Sequence, residues 1–328
     1  MKKTIMITGA TSGLGLALAR RIASERDVRL ILPVRNAKRE ADLRAALSAT
    51  VDAVFPQMDF ENLAEMRTGT ARLVEHLAGG RIDAVMLNAG LGASPRLVRT
   101  DDGFERLFVV NHLAGHILFR GIQPLLSEEA VVGWTSSGTH EAERAKRFGF
   151  RGAQWLDPER LLRGQYDPPD DSAQHARDAY STTKGCNMLS APFFARNETA
   201  RRRYFSYEPG LMTGTGLTRD HSPLLRASFN FLSPIFRLLM DNTSTTVRSS
   251  APLVELLRDR RKEPPGAYLY FDGRTVAPNL PKDEDEYTER LIAFSDAFVD
   301  GAPTGKLPQT ALRGRCRSGL REDPFPSL

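Results

Sequence analysis

The sequence predicts a single α/β domain built on a doubly wound parallel sheet with helices on both faces. Two observations carry this prediction. Short apolar, β-like runs are followed by helical patterns again and again along most of the chain, which is how consecutive strand–helix units with strands buried on both faces read. The first of these runs passes through a glycine-rich turn straight into a helix, Thr8-Gly-Ala-Thr-Ser-Gly-Leu-Gly15.

In chain order, residues 4–8 form the first expected strand and 14–23 the first helix. Strands follow at 28–34 and 51–58, with a helix over 37–49 between them. Residues 82–87 and 130–135 supply a fourth and fifth strand, separated by a helix at about 104–126. Further strands are expected at 204–207 and 267–271. Residues 138–179 break the rhythm: the stretch is long, polar and proline-containing, and reads as an insertion. Residues 216–240 are apolar between Pro223 and Pro234, which fits two packed helices and also a lid or wall for an apolar substrate. The dinucleotide-binding unit is expected over residues 1–280, with a C-terminal helix and a basic irregular tail over 281–328.

Composition narrows the function. At 328 residues, with 41% hydrophobic and 26% charged, the chain can bury a large core, which excludes disordered and fibrous classes. No window approaches the roughly 18 uninterrupted apolar residues of a membrane span, and the opening MKKTIMITGA is not expected to act as a secretory signal. Of the formal charge of +5, three charges fall in the last 28 residues, so the body is nearly balanced and no nucleic-acid partner is expected. Two cysteines, Cys186 and Cys316, cannot build a disulfide framework and have no zinc-type neighbourhood. A reducing, cytoplasmic setting is expected.

The glycine turn lets a pyrophosphate approach the backbone at a helix N-terminus, where free N–H groups and the positive dipole end favour an anion. That makes Gly9, Thr11, Ser12, Gly13, Leu14 and Gly15 dinucleotide contacts of a Rossmann-type site. An NAD site normally places an acid about 20 residues later, against the ribose 2′-hydroxyl. Here Arg35 stands in that place, with Lys38 close behind and no acid before Glu40. A guanidinium suits a 2′-phosphate, so NADP(H) is expected over NAD(H). Asp59, with Phe60, ends the third strand and could accept from the adenine amino group or cap a helix.

Tyr180 and Lys184 are spaced to share one helix face. An ammonium one turn from a phenol should stabilise phenolate and bring the pair into working range for proton exchange. Upstream, the fifth strand runs out into Thr135-Ser136-Ser137-Gly138. The fourth ends in Leu87-Asn88-Ala89-Gly90, and Asn111 lies on the helix between them.

With these motifs in this order, residues 3 to 275 resemble the short-chain dehydrogenase/reductase family. Its TGxxxGxG corresponds to Thr8–Gly15, its NNAG to Leu87–Gly90, and its tetrad to Asn111, Ser137, Tyr180 and Lys184. The resemblance implies hydride transfer between nicotinamide and a carbonyl or alcohol carbon. It makes Tyr180 the acid/base, Ser137 the group orienting the carbonyl (with Ser136 still open), Lys184 the ribose ligand, and Asn111 the holder of a relay water. It also implies cofactor contacts at Asn88, Ala89, Gly90, Pro209, Gly210 and Thr215, and leaves monomer and homodimer both open.

A narrower resemblance, to the retinol dehydrogenase and protochlorophyllide oxidoreductase branch, rests on Phe108–His116, Ala179–Met188 and Pro209–Leu217. Gly90-Leu-Gly-Ala-Ser-Pro-Arg96 departs from the chlorophyll enzymes, and Pro192 is expected to kink or end the tyrosine helix. Cys186 reads as a small buried hydrophobe. His112 and His116, lacking a third ligand, read as packing residues, and no metal is expected. The leading expectation is an NADP(H)-dependent reductase or dehydrogenase for a bulky apolar small molecule. The alternatives are light-driven reduction of a tetrapyrrole C=C bond and a non-catalytic dinucleotide sensor.

Overall fold

Strands and helices alternate from the N-terminus. β1 (Lys3–Ile7), α1 (Gly13–Ala23), β2 (Val28–Ile31), α2 (Ala37–Ala46), β3 (Asp52–Val54), α3 (Leu63–His76) and β4 (Ile82–Leu87) form the first half of the computed structural model. A short α4 (Arg106–Phe108), a π-helical turn (Val109–Leu113) and α5 (Ala114–Ile122) lead to β5 (Leu126–Thr135). Then come α6 (Ala142–Ala145), α7 (Pro158–Leu162), the 26-residue α8 (Ser172–Asn197), β6 (Arg203–Glu208), β7 (Leu211–Met212), β8 (Thr243–Ser244), α9 (Thr246–Leu257), β9 (Ala267–Tyr270), β10 (Thr275–Val276) and α10 (Glu284–Asp296). Residues 2–301 are described, apart from Arg26, Ala49, 170–171, Thr199, 213–242, Asn279 and Lys282. Thr215, the expected wall over 216–240 and the basic tail beyond residue 301 lie outside the described residues.

Eight strands form one sheet in the order β10-β9-β6-β5-β4-β1-β2-β3, parallel except for the antiparallel β10 at one edge. The order reverses between β1 and β4, so the carboxyl ends of β1, β4 and β5 open side by side at a crevice, the usual ligand position in such sheets. One apolar core lies between the sheet and α3, α5, α8 and α10. A second lies under α1 and α9 on the other face. The doubly wound parallel α/β fold expected from the sequence is therefore the fold observed.

Several elements differ from expectation for identifiable reasons. β2 and β3 are shorter than the apolar runs that contain them, because Pro33 and Pro56 lack the N–H a regular ladder requires. Single bonds continue the pairing past them, from the Leu32 N–H to the Val54 carbonyl and from the Val34 N–H to the Pro56 carbonyl. α3 was not anticipated; its apolar stripe (Leu63, Met66, Leu73) is sparse among charges. The helix expected at about 104–126 is interrupted by the π turn and closes before Leu126, where β5 already begins. Pro192 neither ends nor splits α8, which continues to Asn197. Its backbone packs where Gly266 has no side chain: a Cβ there would lie 2.7 Å from Pro192 Cα.

α10 completes the core by lying against α5 and α8. His112 of the π turn bonds Asn187 (3.3 Å) and Ser295 (3.0 Å), and His116 bonds Asp296 (2.7 Å), which also pairs with Arg120. Both histidines are held neutral by burial, His112 down to about 3, and they act as packing and hydrogen-bonding groups. Cys186 is fully buried on α8, where burial pushes its thiol up to about 12.

The central strands tolerate little extra volume. A Cβ on Gly133 of β5 would sit 2.3 Å from the Phe205 ring of β6. Gly133→Ala should therefore cost about 1–3 kcal/mol of stability, read as a lower urea midpoint at unchanged slope. A midpoint equal to wild type would show that the ring moves aside freely.

Candidate active site

Thr8 directly follows β1 and fastens the site. Its hydroxyl accepts the N–H groups of Asn88 (2.8 Å) and Ala89 (2.8 Å), while the Asn88 amide donates to the Thr8 carbonyl (3.0 Å). Thr135, at the end of β5, donates to Asn88 Oδ1 (3.3 Å). The backbones come so close here that a Cβ on Gly15 would meet the Gly9 carbonyl oxygen at 2.4 Å, and Gly9 itself adopts φ +67°. Asn36 and Asn62 cap α2 and α3 with their side chains, but the Ser12 hydroxyl makes no such bond to α1. The first N–H groups of α1 are thus left for a ligand. An open helix start over glycines that admit no side chain is what a pyrophosphate group requires, so these residues fit a dinucleotide.

A cleft runs from this turn in both directions. Gly9, Thr11, Ser12, Gly13, Leu14, Arg35, Phe60, Asn88, Ala89, Gly90, Tyr180, Lys184 and Pro209 all line it, as the sequence predicts. Gly15, Lys38, Asp59, Asn111, Ser137 and Gly210 are not among the lining residues. Lys38 is replaced there by Arg39, which stands in the first turn of α2 while Arg35 lies just before its Asn36 cap. Asp59 does not cap a helix, since Asn62 caps α3; its carboxylate instead accepts the Glu61 N–H (3.0 Å) and faces Arg35.

At the other end of the cleft, α8 begins two turns before Tyr180 rather than at it. This buries Tyr180 (8% exposed) and Lys184 (3% exposed) against the insertion. Phe150 packs on the tyrosine ring, and the Trp155 ring lies against the backbone of Gly185. Asp178 anchors the same segment through Arg151 and the side-chain amide of Gln154 (3.1 Å). The two serines then have distinct surroundings. Ser136 is buried and donates to the Lys184 carbonyl (2.8 Å), whereas the Ser137 hydroxyl accepts from Thr139 (3.2 Å) and acts to lower the Tyr180 phenol's pKa. Of the two, Ser136 lines the cleft and Ser137 does not.

Burial governs the titration of the pair. It pushes Tyr180 up to about 12, against the lowering effect of the Ser137 hydrogen bond and with a smaller upward push from Glu208. It pushes Lys184 down to about 8. The Lys184 ammonium lies 5.7 Å from the tyrosine ring centroid and donates to the Thr135 carbonyl (3.3 Å). Asn111, on the π turn, clamps the loop after β4: its side chain accepts the Leu91 N–H (2.7 Å) and donates back to the Leu91 carbonyl (3.1 Å). Its own carbonyl accepts from Asn187 (2.9 Å). Sequence reasoning missed Glu208, a buried carboxylate at the end of β6 held by Tyr268 (2.9 Å) and Arg144 (3.3 Å), because nothing local distinguishes it from an exposed strand-end acid.

Comparison with known proteins identifies the family. The short chain dehydrogenase profile matches residues 3–140. A Streptomyces sp. (strain C5) protein named for daunorubicin C-13 ketoreduction is 30% identical over 277 residues, covering 80% of this chain and 85% of that protein. The chain belongs to the short-chain dehydrogenase family of oxidoreductases. Protochlorophyllide reductase B from Oryza sativa subsp. japonica is similar to this short-chain dehydrogenase at 26% identity, over 90% of this chain and 78% of its own. The match to oxidoreductase calI of Penicillium decumbens, at 29% identity, spans 66% of this chain and 60% of the fungal protein. Among solved structures, the NADPH-bound carbonyl reductase from chicken fatty liver shares the fold at a TM-score of 0.56 and 13% identity, covering 84% of this chain and 94% of that one. No helix among the described residues is long and apolar enough to cross a membrane, and no cluster of three or more metal-ligating side chains occurs among them.

The serine environments make a separable prediction. Ser136→Ala removes a buried hydrogen bond and should cost about 1 kcal/mol of stability. Ser137→Ala should leave stability near wild type and remove most of the activity. Urea titrations paired with turnover measurements check both, and the reverse pattern would exchange the two roles.

Proposed function

We propose that this short-chain dehydrogenase transfers hydride between NADP(H) and the carbonyl or alcohol carbon of a bulky, largely apolar small molecule. The observation that carries the reading is the Tyr180–Lys184 pair, lining one end of a cleft whose other end presents Arg35 and Arg39, with Ser137 acting on the phenol. Bound nicotinamide dinucleotide would supply or accept the hydride. Gly9 through Leu14 would hold its pyrophosphate, Arg35 and Arg39 a 2′-phosphate, and Lys184 its ribose. Ser137 would orient the carbonyl oxygen, and Tyr180, protonated across the physiological range, would donate the proton that completes reduction. Asn111 would fix the loop beside the reaction and hold a relay water.

Support for an apolar substrate comes from the sequence of residues 216–240 and from relatives named for ketone reduction. A cytoplasmic setting agrees with the buried, unpaired Cys186. The long match to the rice protochlorophyllide reductase favours a second reading, reduction of a tetrapyrrole C=C bond in light. Its test is an absorbance change with protochlorophyllide and NADPH under illumination.

NADPH oxidation followed at 340 nm in the dark, over retinal-like aldehydes, steroid-like ketones and polycyclic quinones, tests the leading reading. Tyr180→Phe should lower turnover by at least about a hundredfold, and NADH should serve less well than NADPH. Dark inactivity despite tight NADPH binding would remove the carbonyl reductase reading.

The kcat/KM for NADPH should fall as pH rises through about 8, where the Lys184 ammonium is lost while Tyr180 keeps its proton. A profile flat to pH 10 would show that the lysine charge is not required.

A further inference from the structure

The adenosine end of the cleft contains a charge arrangement that opposes its expected ligand. Arg35 is not a free guanidinium: its Nη2 donates to Glu61 Oε1 at 3.1 Å, and its Nε lies 3.5 Å from Asp59 Oδ1. Asp59 also accepts the backbone N–H of Glu61 (3.0 Å), so the turn that carries Phe60 into the cleft fixes both carboxylates on the arginine. Arg39, exposed in the first turn of α2, lines the same end and has no ion pair or side-chain hydrogen bond among the described residues. Two guanidinium charges are thus matched by two carboxylates before any ligand arrives. A phosphate on the ribose 2′ position is close to a dianion and seeks bidentate donors. It would meet Arg39 directly and Arg35 only in competition with Glu61.

We propose that Glu61 is a specificity-determining residue that competes with the cofactor's 2′-phosphate for Arg35. Discrimination between phosphorylated and unphosphorylated dinucleotides then rests first on Arg39 and is completed when Arg35 leaves Glu61. The inference rests on the NADP(H) reading above and deepens it: the preference is moderated by the chain's own acid rather than set by Arg35 alone. Half-exposed pairs of this kind are individually weak, so the competition is suited to tuning affinity and not to blocking the site.

The test measures binding of 2′,5′-ADP and 5′-AMP to the full-length chain by calorimetry, which requires no turnover. Glu61→Gln should tighten 2′,5′-ADP about three- to fivefold and leave 5′-AMP within about twofold. In an Arg35→Met background the same substitution should have no effect, because the group competed for is gone. Arg39→Met should weaken 2′,5′-ADP more than Arg35→Met does while Glu61 is present. The proposal is overturned if Glu61→Gln leaves the ratio of the two affinities unchanged. It is equally overturned if the gain survives removal of Arg35, which would make it a diffuse charge effect. If the wild-type chain binds 2′,5′-ADP no more tightly than 5′-AMP, the NADP(H) reading falls. A preference newly created by Glu61→Gln would still show the competition.

Discussion

The site depends on the knot that ties three strand ends together. Thr8 and Asn88 directly follow β1 and β4, and Thr135 ends β5; the three strands are neighbours in the sheet, and these side chains bond one another and the intervening backbone. Each bond satisfies a polar group that would otherwise be stranded at the end of a buried strand. The same knot brings the glycine turn into backbone contact with the end of β4. It also gives Lys184 and Asn187 of α8 a shared acceptor in the Thr135 carbonyl. Loss of that register would move the start of α1, the Tyr180–Lys184 segment of α8 and the loop held by Asn111 together.

Proximity and burial compete around Tyr180, and burial prevails. A lysine one turn away on a helix suggests a phenol drawn toward neutrality, yet enclosure by Phe150 and the insertion disfavours the charged form of both groups. The tyrosine keeps its proton and the lysine becomes easier to discharge. That combination suits a resting enzyme prepared to donate a proton to an alkoxide. The insertion, read from the sequence as an interruption of the fold, is thus part of the site's electrostatics. Asp178, two residues before Tyr180 and tied to Arg151, joins that segment to the catalytic helix.

Charge at the opposite end of the cleft follows a different rule. Arg35 and Arg39 are exposed, so water screens them and the geometry of individual partners matters more than burial. The carboxylates of Asp59 and Glu61 reach Arg35 because β2 and β3 are adjacent and parallel, so their ends fall side by side. The cleft thereby joins a dry end, where desolvation shifts protonation, to a wet end, where charges are paired and exposed.

By itself the sequence determined the layer architecture and the identity of most cleft residues. Those signals are local: apolar runs with turn residues between them, glycines where a side chain would collide, and a tyrosine and lysine one helical turn apart. The apolar stripe of α3, the antiparallel edge strand β10 and the persistence of α8 through Pro192 were not legible in the local pattern. The surroundings of Ser136 and Ser137 were likewise a tertiary decision. The two are adjacent and chemically identical, and only the placement of α8 gives Ser136 the Lys184 carbonyl. The same holds for Arg35, whose pairing with Glu61 spans 26 residues and arises from the parallel register of two strands. Local pattern specifies which groups are present, and packing decides which of them meet, are desolvated, or are already engaged.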